Sequence, residues 1–328
     1  MRNLSIGNLS LDGMLILAPM AGLTDVSFRC LCKRFGASLT VSEMISAKGV
    51  FYGDRKTGQL AASSPSEKPF AVQIFGSDPD VMTVAAVSLL RLNPQIGIVD
   101  INMGCPMPKI TGNGDGSALM KNLTLAGKIV AAVSGAINAP TTVKMRTGWD
   151  ESSVNAPNLA EICQANGAGA ICIHGRTRSQ LYRPPVDFET IKKVKKSVTV
   201  PVIANGGIYS AEDALVMLEK TDCDGLAVGQ GALGNPFIFR EISDALSGRQ
   251  VIKPEPDEII SLACEHIGMI CADKGEYTGV KEIRRQLGHY IKGMNGAAEA
   301  RNRINYAQTK DELCCILTSL LNGLRSGK

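Results

Sequence analysis

Along the chain, short apolar runs rich in β-branched residues alternate with stretches whose apolar residues recur at helical spacing. The runs occupy 15–20, 38–45, 69–75, 97–103, 141–145, 170–174, 201–205 and 225–229. Between them the helical signal is explicit. Phe28, Leu31, Cys32 and Phe35 share one face before Gly36 stops the helix. Ser77-Asp78-Pro79 reads as a helix start with proline in the first turn, and Ser210 followed by Asp213 as a capping start for a helix over 211–220. Strands that read as nearly continuous hydrophobic runs are buried on both faces, the mark of a parallel sheet covered by helices. Eight such units over roughly 230 residues predict an α/β fold of the eight-stranded parallel (β/α)8 type, whose usual size is about 250 residues, in preference to an open doubly wound sheet. The last barrel helix is expected over 235–247. A Gly- and Pro-bearing linker follows, and only helical periodicity remains from Asp257 onward. The chain therefore divides into a barrel, 1–248, and a small all-helical domain, 257–328.

Polar residues gather where the strands end. Pro19, Met20 and Ala21, then Glu43, Gln73, Asn102, Lys144, Arg146, His174, Asn205 and Gln230, all fall at or just past a predicted C-terminal strand end. A barrel of this kind builds its active site on that face, and so many convergent polar positions predict an enzyme site. Three groups carry chemistry. Asn205, Gly206 and Gly207 after the seventh strand, with Gly229 and Gln230 after the eighth, place bare amides where barrels recurrently bind phosphate. Gln73, Lys144 and His174 set an amide and two potential cations around a space suited to the pyrimidine side of a flavin, making flavin mononucleotide (FMN) the economical cofactor. Cys105, on a Gly/Pro-bounded loop after the fourth strand, is a thiol exposed to substrate and competent as a general acid. The run Gly112-Asn-Gly-Asp-Gly116 imitates a dinucleotide fingerprint, but its spacing is wrong and it reads as a flexible active-site loop.

Composition narrows the rest. The chain's ten cysteines show no C-x-x-C spacing, so they read as reduced, mostly buried thiols rather than a disulfide or zinc framework. No run is long and apolar enough to span a bilayer, and no signal peptide is evident, so a cytoplasmic protein without a membrane partner is expected. The net charge of +4 permits nucleic-acid binding without demanding it. Between Lys274 and Lys310, however, eight basic residues stand against three acidic ones, with Lys281, Arg284, Arg285 and Lys292 outside an apolar stripe of Ile283, Leu287 and Ile291.

Taken together the chain resembles the tRNA-dihydrouridine synthases, with a pattern and length similar to the B-type bacterial members. The matching strings are Ala18-Pro-Met-Ala-Gly-Leu-Thr-Asp25, Asp100-Ile-Asn-Met-Gly-Cys-Pro106, Val143-Lys-Met-Arg-Thr-Gly148, Ile173-His-Gly-Arg-Thr-Arg178 and Ala204-Asn-Gly-Gly-Ile208, continuing through Lys281–Arg285 and Tyr290–Gly293. The resemblance implies FMN as tightly bound cofactor, NADPH as electron donor, and reduction of the uridine C5–C6 double bond in tRNA. Hydride would pass from flavin N5 to C6, and Cys105 would protonate C5. By the same resemblance Pro19, Met20 and Ala21 back the flavin and Asn102 lies at the flavin–uracil interface; Lys281, Arg284 and Arg285 of the basic tail are expected to meet tRNA, with Arg176, Arg178 and Arg183 near the barrel mouth extending that surface and no DNA partner expected. Two positions depart from the family pattern: Gln230 replaces an arginine, which predicts looser flavin retention, and Tyr182–Phe188 lacks the usual Gly and Trp. From the residues alone, a barrel reducing a free pyrimidine, as dihydroorotate dehydrogenases do, and a non-catalytic RNA-binding protein stay open.

Overall fold

The computed structural model describes residues 3–326. Two two-residue strands come first, β1 (Ser5–Ile6) and β2 (Leu9–Ser10), paired antiparallel. Eight strands follow: β3 (Leu15–Leu17), β4 (Leu39–Ser46), β5 (Phe70–Phe75), β6 (Ile96–Met103), β7 (Thr141–Arg146), β8 (Ala168–His174), β9 (Val202–Asn205) and β10 (Gly225–Val228). All pair in parallel with their chain neighbours, and β10 closes on β3, giving a closed barrel. The helices of the barrel section are α1 (Val26–Arg34), α2 (Ala47–Phe51), α3 (Arg55–Gln59), α4 (Pro79–Leu92), α5 (Pro108–Thr111), α6 (Leu123–Ala136), α7 (Ala156–Ala165), α8 (Phe188–Ser197), α9 (Ala211–Thr221) and α10 (Ile238–Leu246). Their starts follow the predicted chemistry. Asp78 caps α4 with Pro79 in its first turn, and the Ser210 side chain accepts from the Asp213 amide at the head of α9.

Each inner strand face changes character from bottom to top. Alternation along β6 points Ile98, Asp100 and Asn102 into the barrel, and sends Val99, Ile101 and Met103 outward into the strand–helix core. Ala170, Cys172 and His174 repeat the sequence on β8. The lower interior is thus packed with Ile16, Leu39, Val41, Ala71, Ile98 and Ile203, and the polar ends of the same rows open at the C-terminal rim. The β1–β2 hairpin, which the periodicity did not predict, inserts Leu4, Ile6 and Leu11 into this interior cluster and closes the lower end.

Beyond α10, helices α11 (Pro256–Lys274), α12 (Glu276–Tyr290), α13 (Ala297–Tyr306) and α14 (Lys310–Ser326) enclose a second core. Ile283, Leu287 and Ile291 are its fully buried stripe, as the spacing predicts. Leu31 and Phe237 of the barrel section join it, so the two cores meet along α1.

Candidate active site

The strand ends enclose a cavity of about 560 Å³, within the roughly 300–1,000 Å³ range of small-molecule sites. Pro19, Met20, Ala21, Gln73, Asn102, Cys105, Lys144, His174, Asn205, Gly206, Gly207, Gly229 and Gln230 all line it, drawn from every part of the barrel. Glu43 does not. A register shift between Val41 and Met44 turns Met44 into the cavity, and Glu43 instead accepts from the Gly22 amide at 2.5 Å.

On one wall, a directed chain of hydrogen bonds runs to the thiol loop. Asp100 accepts from Thr142 Oγ1 and Gln73 Nε2, both at 2.6 Å. With its Nε2 donating to Asp100, Gln73 turns Oε1 toward Asn102 Nδ2 at 2.7 Å. Asn102 Oδ1 is then left to receive the Gly104 and Cys105 amides at 3.1 and 2.9 Å. Arg146 braces the same loop through the Gly104 carbonyl at 2.8 Å, and ties it to Thr177 and Leu181. From behind, the Ser117 amide and hydroxyl both donate to the Cys105 carbonyl. The run 112–116 leads into this buttress: Gly112, Asn113 and Gly114 are exposed, whereas Asp115 and Gly116, next to Ser117, are buried. Burial pushes the Cys105 thiol above its ordinary pKa, partly offset by the Met107 amide, Arg146 and Lys144, so it is protonated at neutral pH.

The adjoining wall, from Lys144 on β7 beside Asn102 round to β9, is cationic, though less so than two potential cations would make it. Lys144 donates to Asn205 Oδ1 at 2.9 Å, and burial lowers its pKa. His174 is driven well below the ordinary histidine value, first by burial and then by Lys144, Arg146 and Arg176, so it stands as a neutral imidazole. Beside it, Gly206 and Gly207 adopt φ of +105° and +74°; a Cβ on Gly206 would lie 2.4 Å from the His174 ring. A Cβ on Gly231 would meet the Ile208 carbonyl at 2.2 Å. These loops close tightly because they lack side chains, and they present backbone to the cavity. A planar ring with an anionic tail fits this donor set: a cavity lined by an amide, a buried lysine and a side-chain-free glycine cradle.

The expected RNA-facing residues separate. Arg285 lines the cavity mouth, with His289 one turn on, a residue for which the sequence carried no signal. Lys281 is exposed and lies over the Tyr277 ring, 3.8 Å from its centroid. Arg284 is half-buried and donates to the Ala307 carbonyl, so it is not the free cation the stripe suggested. Arg178 stacks on Trp149, whose other cation neighbour is Lys121. Arg176 is inside the cavity wall, 5% exposed. All ten cysteines are free, and no His/Cys/Asp/Glu group among the described residues could hold a metal. Among the same residues no helix is long and apolar enough to cross a membrane.

A closed (β/α)8 barrel with a buried cation, a neutral imidazole, a protonated thiol and a glycine cradle on its C-terminal rim has the make-up of an oxidoreductase barrel. Comparison narrows the class. Residues 16–322 match the family model described as dihydrouridine synthase, and the chain belongs to that family of flavin-dependent oxidoreductases. A tRNA-dihydrouridine synthase B of Pseudomonas putida is 40% identical over 310 residues, 94% of this chain and 91% of that protein. A probable tRNA-dihydrouridine synthase of Rickettsia bellii is 39% identical over 97% of this chain and 99% of its own length. Among solved structures, a 2-naphthoyl-CoA reductase (TM-score 0.58, 10% identity, 76% of this chain and 52% of that one) and a morphinone reductase (0.51, 14%, 78% and 91%) share the fold.

Proposed function

We propose that this protein reduces uridine in tRNA to 5,6-dihydrouridine, using FMN that NADPH re-reduces, in the cytoplasm. One observation carries the reading: Cys105, a thiol held in its acid form, lines one cavity together with a buried lysine and a side-chain-free cradle. The names of the relatives supply the substrate class. In this reading residues 1–248 form the catalytic barrel and 257–328 the tRNA-binding part.

Reduced FMN, when bound, supplies the hydride for C6 of the uracil. The chain's residues do the rest. Pro19, Met20 and Ala21 floor the ring site, Gln73, Lys144 and His174 face its pyrimidine edge, and Asn205, Gly206, Gly207, Gly229 and Gln230 lie toward the phosphate. Lys144 stabilises negative charge at its end of the cavity. Cys105 delivers the proton to C5, completing addition of H₂ across the double bond. Asn102 fixes the thiol loop and borders the substrate space. The uridine leaves its stack to enter, as any base must whose ring atoms react within a folded RNA. Arg285, His289 and Lys281 stand where the RNA would arrive, and Arg178 with Trp149 offers a second contact.

Nucleoside mass spectrometry of tRNA incubated with protein, FMN and NADPH tests the reading. A uridine-derived nucleoside heavier by two hydrogens is expected. Flavin-loaded protein that oxidises NADPH yet leaves tRNA unchanged, while turning over orotate or free uracil, would favour the free-pyrimidine alternative.

A further inference from the structure

The cradle at the ends of β9 and β10 has the shape of an anion site but no charge of its own. Gly206, Gly207, Gly229 and Gly231 contribute only backbone. Gln230 is neutral, and its Oε1 accepts from the Tyr209 hydroxyl at 2.9 Å. Charge reaches the cradle from β8. Arg176 follows His174 by two residues, and its Nη2 lies 3.9 Å from the point a Cβ on Gly207 would occupy.

Two buried arginines on this rim make a useful contrast. Arg146 spends its donors on three backbone carbonyls, which is what a bracing arginine does. The Arg176 guanidinium shows no hydrogen bond to a carbonyl or carboxylate among the described residues. Its Nη1 stands 3.3 Å from His174 Nε2, and its Nε is buried without any partner. A guanidinium carries five N–H donors in a rigid fork, and burying them unmatched is costly. That fork suits a phosphate, two oxygens at a time. Tyr209, which holds Gln230, is also an electrostatic neighbour of Arg176, so the three side chains ring one edge of the cradle.

We propose that Arg176 clamps the terminal phosphate of the cofactor, supplying from β8 the cation that the last two loops lack. The proposal rests on the FMN reading above, and it moves Arg176 from the tRNA surface to the cofactor. A phosphate of the RNA backbone has the same chemistry. Arg176, however, is 5% exposed at the glycine cradle, whereas Arg183 on the following loop is open to solvent.

Binding of FMN and of riboflavin, which lacks the phosphate, to the apoprotein separates these ideas; quenching of flavin fluorescence reports both. Wild-type protein is expected to prefer FMN. Arg176→Met should cut that preference roughly ten- to a hundredfold with riboflavin affinity intact, a control that the pocket remains folded. Adding Gln230→Arg to Arg176→Met should restore part of the preference, by returning a cation to the cradle. An FMN preference unchanged in Arg176→Met overturns the clamp; if tRNA affinity falls instead, the arginine serves the RNA. Should Arg176→Met fail to bind riboflavin, Arg176→Lys decides: a several-fold loss of preference supports the fork, and no loss overturns it. Wild-type protein that binds neither flavin would overturn the clamp together with the cofactor reading.

Discussion

Two glycine-rich regions back side chains of the site, and composition alone makes them look alike. In 112–116 the critical residue is Gly116, at φ +60°, where a Cβ would sit 3.0 Å from the Cys105 carbonyl oxygen. In the cradle it is Gly206, at φ +105°, where a Cβ would strike the His174 ring. One region backs the thiol and never reaches the cavity; the other backs the imidazole and forms cavity wall. A glycine's meaning therefore lies in the group its missing side chain lets approach, here the loop of a thiol in one case and an imidazole ring in the other.

That contrast can be broken from either side. The largest effect is expected from Cys105→Ala, which should retain flavin and its reduction by NADPH but lose about 10²–10⁴-fold in uridine reduction. Full dihydrouridine formation by this variant would remove the thiol from the mechanism. Next, Gly206→Ala forces both strain and collision, of the order of 1–3 kcal/mol, and should release flavin about ten- to a hundredfold more readily, read as loss of bound flavin absorbance. Gly116→Ala should do the reverse: flavin content unchanged and turnover down several-fold, because the Cys105 loop shifts. Equal flavin loss in both glycine variants would abolish the distinction.

The acid end also has a pH signature. Burial raises the Cys105 pKa above its ordinary 9.0, so the proton-donating form persists through neutral pH and is lost only as pH rises past that raised value. Turnover should be level from neutral pH up through the ordinary thiol pKa and decline only beyond it; a decline already complete at neutral pH would contradict the protonated thiol. The smallest effect concerns the helical tail. Arg285→Ala combined with Lys281→Ala should flatten the salt dependence of tRNA binding by about two in log–log slope, while Arg284→Ala, tied to Ala307, should leave the slope unchanged.

Much of this was legible beforehand for a physical reason. Inner-row alternation carries apolar residues low and polar ones high, so Asn102, Lys144 and His174 can be placed on the rim from strand spacing alone. The eight strands fall within about three residues of their predicted limits, the ends being where hydrogen bonding frays from one convention to another. What escaped depended on pairing rather than pattern. The shift that exchanges Glu43 for Met44 exists only between strands. The hairpin is too short for periodicity, although Gly7-Asn8 between Ile6 and Leu9 carried a two-residue turn signal. The neutral state of His174, the diversion of Arg284 and the arrival of His289 at the cavity all arise from residues distant in the chain.

The hairpin that fills the lower end of the barrel bears on the order of events. Leu4, Ile6 and Leu11 pack the lower end among the described residues, while Arg285 and His289 of the helical tail border the cavity at the rim. In the proposed reaction a nicotinamide and a uridine share one flavin, and both would reach it across that rim in turn instead of meeting inside. Traffic across a shared rim is alternating traffic: the enzyme is charged by one visitor, empties, and is discharged by the next. Steady-state rates should accordingly give parallel rather than intersecting double-reciprocal lines, and excess of either visitor should slow the other.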